Sequence, residues 1–189
     1  MRVVRVAAVL LLALVGPACL VVSLHPVYEP ETIAFEPALL GEWVADEDPV
    51  VLTFERAEWH SYHVVYADAD KTPVRLSVRL TRVADMLLLD LTPLDGADIG
   101  LLQLPVHAVY RATIEDGTLS LAPLNYDWLF DRVREGTAGL PAAIDARTNV
   151  IVTAPTAELR KWIAAHAADD GLFAAPVMLH RKTAAASIP

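Results

Sequence analysis

The sequence predicts a mainly β (α+β) fold, in which an antiparallel meander forms a barrel or half-barrel with two short helices in the C-terminal third. Three observations lead to this prediction. Runs of alternating apolar and polar residues follow one another from about residue 39. Short polar turns separate these runs, as is typical of antiparallel strands. Apolar residues at helical spacing occur only after Asn125.

The clearest strand covers residues 74–81, where Val or Leu alternates with Arg, Ser or Thr. Because successive side chains of a strand point to opposite faces, one face of this strand is predicted to lie in the core and the other in water. Residues 86–91 are apolar on both faces until Asp90, which predicts a strand covered on both sides. Further strands are predicted at 50–56, at 61–66 and at 106–113, and Asp116-Gly117 predicts a tight hairpin to the next one.

The C-terminal third has helical signals. Asn125 is predicted to cap a short helix that ends at Gly136, and Thr156 is predicted to cap a second helix. The second helix carries an i, i+3, i+4, i+7 stripe of Leu159, Trp162, Ile163 and His166. Residues 150–153 and 177–180 are predicted as the last strands.

The N-terminus predicts export. Met1–Arg5 is a short basic segment, and residues 6–15 form an uninterrupted apolar run. Ala18-Cys19 follows, and this layout resembles a bacterial lipoprotein signal peptide, whose cysteine is acylated and becomes the first residue. The resemblance implies lipid attachment, such as palmitate, at Cys19. The absence of Asp directly after Cys19 favours sorting to the outer membrane, again by resemblance to other lipoproteins.

Two other interpretations of this segment remain open. Residues 6–24 are long enough to stay uncleaved as a membrane anchor, although Gly16-Pro17 would kink such a helix. Alternatively, an ordinary signal peptidase cuts nearby and Cys19 is incidental. All three place the body of the chain outside the cytoplasm, because Arg2 and Arg5 favour the cytoplasmic side.

The predicted organisation is a signal peptide at 1–18, a lipidated cysteine and extended tether at 19–37, one β-rich domain at 38–183 and a disordered tail at 184–189. The proline residues of the tether disfavour helix. The whole chain of 189 residues has a formal net charge of −9. Removing Arg2 and Arg5 leaves 13 basic against 24 acidic residues, a net −11. So acidic a domain repels phosphate backbones, which argues against nucleic acid as a partner.

One motif resembles that of a known family. Gly41-Glu42-Trp43 opens the first long strand, and this Gly-x-Trp is similar to the lipocalin signature. The resemblance implies that Trp43 closes one end of an up-and-down barrel and packs under a basic residue of the last strand, either Arg181 or Lys182. The second lipocalin motif, Thr-Asp-Tyr, is absent.

No pattern predicts catalysis, a metal or a cofactor. His60 and His63 are three residues apart, and in a strand they point to opposite faces. The acidic residues near 46–48 and 68–70 lack the spacing of an ordered calcium loop. There is no Gly-x-Ser-x-Gly nucleophile motif and no phosphate-binding loop.

The sequence therefore predicts a non-enzymatic envelope lipoprotein, held at the membrane through Cys19, that has a structural role or binds another envelope protein. The alternative is a lipocalin-like carrier or sensor of a small apolar ligand. The two differ in the barrel interior, which is either filled by side chains or hollow.

Overall fold

The computed structural model describes residues 20–46, 49–69, 71–94 and 106–182. The predicted signal peptide, Cys19 and the predicted tail at 184–189 lie outside these residues. The strands, in chain order, are β1 (Val21–Ser23), β2 (Ile33–Ala34), β3 (Gly41–Ala45), β4 (Val50–Arg56), β5 (Ser61–Asp68), β6 (Val74–Val83), β7 (Met86–Pro93), β8 (Ala108–Glu115), β9 (Thr118–Pro123), β10 (Ala142–Ile144), β11 (Val150–Val152) and β12 (Val177–Arg181). The helices are α1 (Tyr126–Arg134) and α2 (Thr156–Ala165), and short 3-10 turns lie at Pro30–Thr32 and Pro37–Leu39.

Eight antiparallel strands form a closed barrel. Strands β3 to β9 pair in chain order, β6 also pairs with β7, and β12 fits between β9 and β3 to close the ring. Strand β2 adds a short pairing beside β6. The predicted fold class, a mainly β antiparallel barrel with two short helices, is confirmed.

The register defines two ends of this barrel. The hairpin end carries the β4–β5, β6–β7 and β8–β9 turns, at residues 57–60, 84–85 and 116–117. The opposite end carries the β3–β4 and β5–β6 turns and the start of β8. At the β8–β9 turn Asp116 and Gly117 have φ of 45° and 78°, the positive pair that a type I′ hairpin requires, as their sequence predicts.

The predicted inward face of β6 is confirmed, since Leu76, Val78 and Leu80 are buried in the barrel interior. The other face is in water only in part: Arg75 is exposed, whereas Thr81 is fully buried against Thr32 and the guanidinium of Arg79 lies 5.1 Å from the centre of the Tyr28 ring. In β7, Leu89 faces the interior and Leu88 belongs to a second core outside the barrel wall. Both faces of β7 are therefore covered, as its continuous apolar pattern predicts.

The second core joins the barrel wall to an outer layer of helices and a small sheet. Strand β11 lies between β1, which is parallel to it, and β10, which is antiparallel. The predicted cap of α1 is present, since Asn125 Oδ1 accepts from the amide of Trp128 at 3.3 Å. The predicted cap of α2 is wrong: Pro155 occupies the cap position, and Thr156 is the first helical residue.

The segment predicted as a tether, residues 19–37, is packed against the barrel over its described part. We call residues 20–37 the strap. Val27 of the strap is fully buried, its amide donates to Asp90 Oδ2 at 2.8 Å, and its carbonyl accepts from Arg160 at 2.7 Å. The prolines keep the segment out of α-helix, but apolar burial and these bonds make its described residues part of the folded unit, which was predicted to start near residue 38.

Candidate functional site

The Gly-x-Trp motif lies towards the hairpin end of the barrel, where β3 begins and β12 ends. Trp43 is fully buried, and its indole Nε1 donates to the carbonyl of Leu39 at 2.8 Å. The guanidinium of Arg181 lies 4.4 Å from the centre of the Trp43 ring. The basic residue that the motif implies is therefore in contact with this indole, and Arg181 is the one that provides it.

Arg181 also joins the last strand to the residues that lead into β3. Its guanidinium donates to the carbonyls of Leu40 at 2.7 Å and of Ala38 at 2.5 Å. Gly41 has a φ of +115°, and a Cβ at that position would lie 2.9 Å from Nη1 of Arg181. Only glycine leaves room for this arginine. Lys182 makes a different contact, an exposed ion pair with Glu42 at 2.7 Å.

The described side chains of the barrel interior are closely packed. Between Leu52, Val64, Leu76, Leu89 and Tyr110 lies an apolar cavity of about 20 Å³. This volume is about that of one water molecule, whereas small-molecule sites typically measure about 300–1,000 Å³. Burial raises the pKa of Tyr110, and the nearby Tyr66 raises it further, as expected of a phenol in a dry interior. The cavity is too small for a fatty acid or a comparable ligand.

A buried acid and base, which sequence analysis missed, lie on the outer wall beneath the strap. Asp90 is 2% exposed and His107 is 8% exposed, and Oδ1 of Asp90 lies 2.6 Å from Nδ1 of His107. The backbone of His107 exchanges two hydrogen bonds with Ser23, while Asp90 also accepts from Val27. The only signal for Asp90 was its position as the single charge in an apolar strand. These bonds connect the strap to the wall, and the Ser23 hydroxyl donates to the carbonyl of His25 and so is not aligned as a nucleophile.

The remaining histidines lie apart from one another. His25 is exposed on the strap, and His60 and His63 are exposed on β5 or its turn. His166 is half-buried with Nδ1 2.8 Å from the carbonyl of Trp162, and His180 is exposed beside Asp46. Among the described residues, no three His, Cys, Asp or Glu side chains are grouped as metal ligands.

The most exposed large apolar side chain in the described part of the chain is Trp59, at 86%. It occupies the tip of the β4–β5 hairpin together with His60, and the two residues have φ of 54° and 56°. The turn closes with the amide of Ser61 donating to the carbonyl of Glu58 at 3.1 Å. Hairpins of this type favour Asn-Gly at these two positions, because a bulky residue at positive φ is strained. Sequence analysis passed over Trp59, since nothing local distinguishes an exposed Trp from a buried one.

The base of this hairpin is well packed. Tyr62 stacks on Phe35 of the strap with ring centres 5.0 Å apart, and the guanidinium of Arg56 lies 4.6 Å from the centre of the Phe35 ring. The amide of Glu36 donates to the Tyr62 hydroxyl at 2.6 Å. Trp59 thus extends into solvent from a well-packed platform.

Comparison with known proteins adds no relative. No family model, characterised protein or solved structure matches this chain. Within the described ranges, no helix has both the length and the apolar character that crossing a membrane requires.

Proposed function

We propose that this chain is a non-enzymatic lipoprotein of the bacterial cell envelope that binds a partner protein through the hairpin end of its barrel. The observation that carries the proposal is Trp59, which is 86% exposed on a strained turn. Strain of this kind costs about 1–2 kcal/mol per residue and persists where a side chain is needed in a particular place. Trp is also one of the residue types enriched among the side chains that contribute most to binding at protein interfaces.

The position of Leu20, next to the proposed lipid-attachment residue, supports a membrane contact at the end of the barrel opposite Trp59. Leu20, one residue after Cys19, donates its amide to Oδ1 of Asn149 at 3.2 Å. The carbonyl of the adjacent Thr148 accepts from the hydroxyl of Tyr126. Tyr126 begins α1, directly after β9 has reached the opposite end of the barrel. A lipid on Cys19 would therefore hold the opposite end at the membrane. The eight residues of β5 separate that end from the Trp59 turn by about 20 Å after allowance for strand tilt.

The packed interior supports partner binding over the alternative of carriage. A cavity of about 20 Å³ accepts no drug-sized apolar molecule. We therefore expect a fluorescent fatty acid to show no saturable binding to the purified protein up to about 100 μM. Saturable binding near 1 μM would favour the carrier instead.

The anchor is tested first. Replacing Cys19 by Ser should abolish labelling by a fatty-acid analogue in cells and release the protein from the membrane fraction. If labelling persists, or if the unchanged protein is never labelled, the lipoprotein part of the proposal is refuted.

The partner surface is tested by a photo-crosslinking residue at Glu58, which is exposed beside Trp59. We expect it to form one discrete adduct with an envelope protein in cells. A crosslinker at Thr72, exposed in the β5–β6 turn at the opposite end, is the matched control and should not form this adduct.

The combined change Trp59→Asn and His60→Gly then separates function from folding. It supplies the residues that the turn prefers, so we expect the protein to become more stable by about 1 kcal/mol while the Glu58 adduct is lost. An adduct that persists in this stabilised variant would contradict the role of Trp59.

A further inference from the structure

Trp59 extends from an end of the barrel that is negatively charged. The segments that reach this end are residues 36–42, 55–61, 82–86, 115–118 and 181–182. Together they carry seven acidic and four basic residues, a net charge of −3 with histidine neutral. A partner that approaches this end therefore meets a negative potential around the exposed indole.

All three turns of the hairpin end present carboxylates to solvent. Glu58 precedes Trp59 in the β4–β5 turn, and Asp85 lies in the β6–β7 turn. Glu115 and Asp116 lie at the β8–β9 turn. These four acidic residues are exposed, and none of them forms an ion pair within the described part of the chain. Their charges are available to a partner.

Three of the four basic side chains at the same end are engaged within the chain. Lys182 forms its ion pair with Glu42 at 2.7 Å. The guanidinium of Arg56 lies over the ring of Phe35, and that of Arg181 lies over a buried indole. Most of the cations that could neutralise the turn carboxylates are therefore held in other contacts.

An exposed indole among carboxylates favours a cationic partner. The face of a Trp ring attracts a guanidinium or ammonium group more strongly than the ring of Tyr or Phe does. A carboxylate accepts two parallel hydrogen bonds from a guanidinium. A wholly apolar partner surface would instead bury the turn carboxylates without a counter-charge, which is costly.

We infer that the partner protein contacts the hairpin end through a basic segment. One cationic side chain of that segment stacks on Trp59, and others pair with the carboxylates of the β6–β7 and β8–β9 turns. The inference rests on the proposed partner-binding function and identifies the chemistry of the partner's surface.

The test removes the charges of these two turns and leaves the Trp59 turn unchanged. The neutralised variant combines three substitutions, Asp85→Asn, Glu115→Gln and Asp116→Asn. Asparagine is favoured at the φ of 45° that residue 116 adopts, so we expect the β8–β9 turn to be kept.

A control variant makes the same change in charge away from the hairpin end. It combines Glu135→Gln, Asp169→Asn and Asp170→Asn, which replace exposed residues that follow α1 and α2. Any weakening that comes only from the lower net charge of the chain should be the same in both variants.

Binding is measured with the full-length protein in detergent and a random dodecapeptide library. We expect the enriched peptides to carry a net positive charge, and the affinity of a fluorescently labelled one to fall at least about tenfold between about 50 and about 500 mM NaCl, because salt screens exposed ion pairs. Its affinity should also fall at least about tenfold in the neutralised variant and in the Trp59→Asn and His60→Gly variant, and should stay unchanged in the control.

Several outcomes would overturn the inference. Enrichment of neutral or acidic peptides, or of none, would do so, as would an affinity that is unchanged in the neutralised variant or insensitive to salt. Equal weakening in the neutralised and control variants, or binding that survives the loss of Trp59, would show attraction to the overall charge alone.

The Glu58 adduct in cells separates this inference from the proposed function. An adduct that forms in the unchanged background and persists at full yield in the neutralised variant would refute the basic segment and leave the proposed function intact. Absence of any adduct in the unchanged background would refute the proposed function itself.

Discussion

Truncating Leu76 to Ala tests whether the barrel interior is as closely packed as the fold indicates. Leu76 is buried on β6 and borders the cavity of about 20 Å³. The change removes three carbons, whose transfer to water is worth about 2.4 kcal/mol at about 0.8 kcal/mol each. It also empties about 80 Å³, which adds about 2 kcal/mol at about 24 cal/mol per Å³. We therefore expect a loss of about 4 kcal/mol in the free energy of unfolding.

Equilibrium unfolding in urea, followed by circular dichroism, measures this loss. Arg75→Ala is the control on the same strand, and because that side chain is exposed we expect it to change stability by less than about 1 kcal/mol. The enlarged cavity, about 100 Å³, should also bind xenon in an NMR titration, whereas the unchanged interior should not.

Equal effects of the two substitutions would show that the assignment of the strand faces, or the packing of the interior, is incorrect. Saturable xenon binding by the unchanged protein would indicate a larger interior space and would favour the carrier alternative.

Three further predictions concern single residues. Gly41→Ala should destabilise the protein by more than Gly136→Ala. Both glycines have positive φ, but only at Gly41 would the added Cβ lie 2.9 Å from Arg181. Equal shifts in melting temperature for the two variants would contradict this. Asp90→Ala should lower the free energy of unfolding in urea by about 2–4 kcal/mol, since it leaves the amide of Val27 and the ring of His107 buried without their acceptor. The control Asp170→Ala changes an exposed side chain and should leave this free energy nearly unchanged. The free energy of unfolding should fall as pH rises above about 10, because burial raises the pKa of Tyr110 and only the unfolded chain then releases that proton. Tyr110→Phe should reduce this decline by up to about 1.4 kcal/mol per pH unit. An unchanged slope would refute the burial of the Tyr110 hydroxyl as its cause.

The strands and their faces could be predicted from sequence because their signals are local. Alternation over residues 74–81 and the continuous apolar run before Asp90 depend only on the geometry of a strand and on which side is covered. The contact between Trp43 and Arg181 was also anticipated, although only the Gly-x-Trp resemblance suggested it. The export segment stays a prediction, since Cys19 lies outside the described residues.

Everything that depends on long-range pairing was decided by the tertiary structure. Closure of the barrel joins β12 to β3 across most of the chain, and the packed interior follows from how eight strands fit together. Burial of the strap depends on Asp90 and Arg160, which are distant in sequence from the strap residue Val27 that they bind. The exposure of Trp59 arises at a turn, where the neighbouring strands end. Such features have no local periodicity, because they are set by the partners a residue meets and not by its neighbours along the chain.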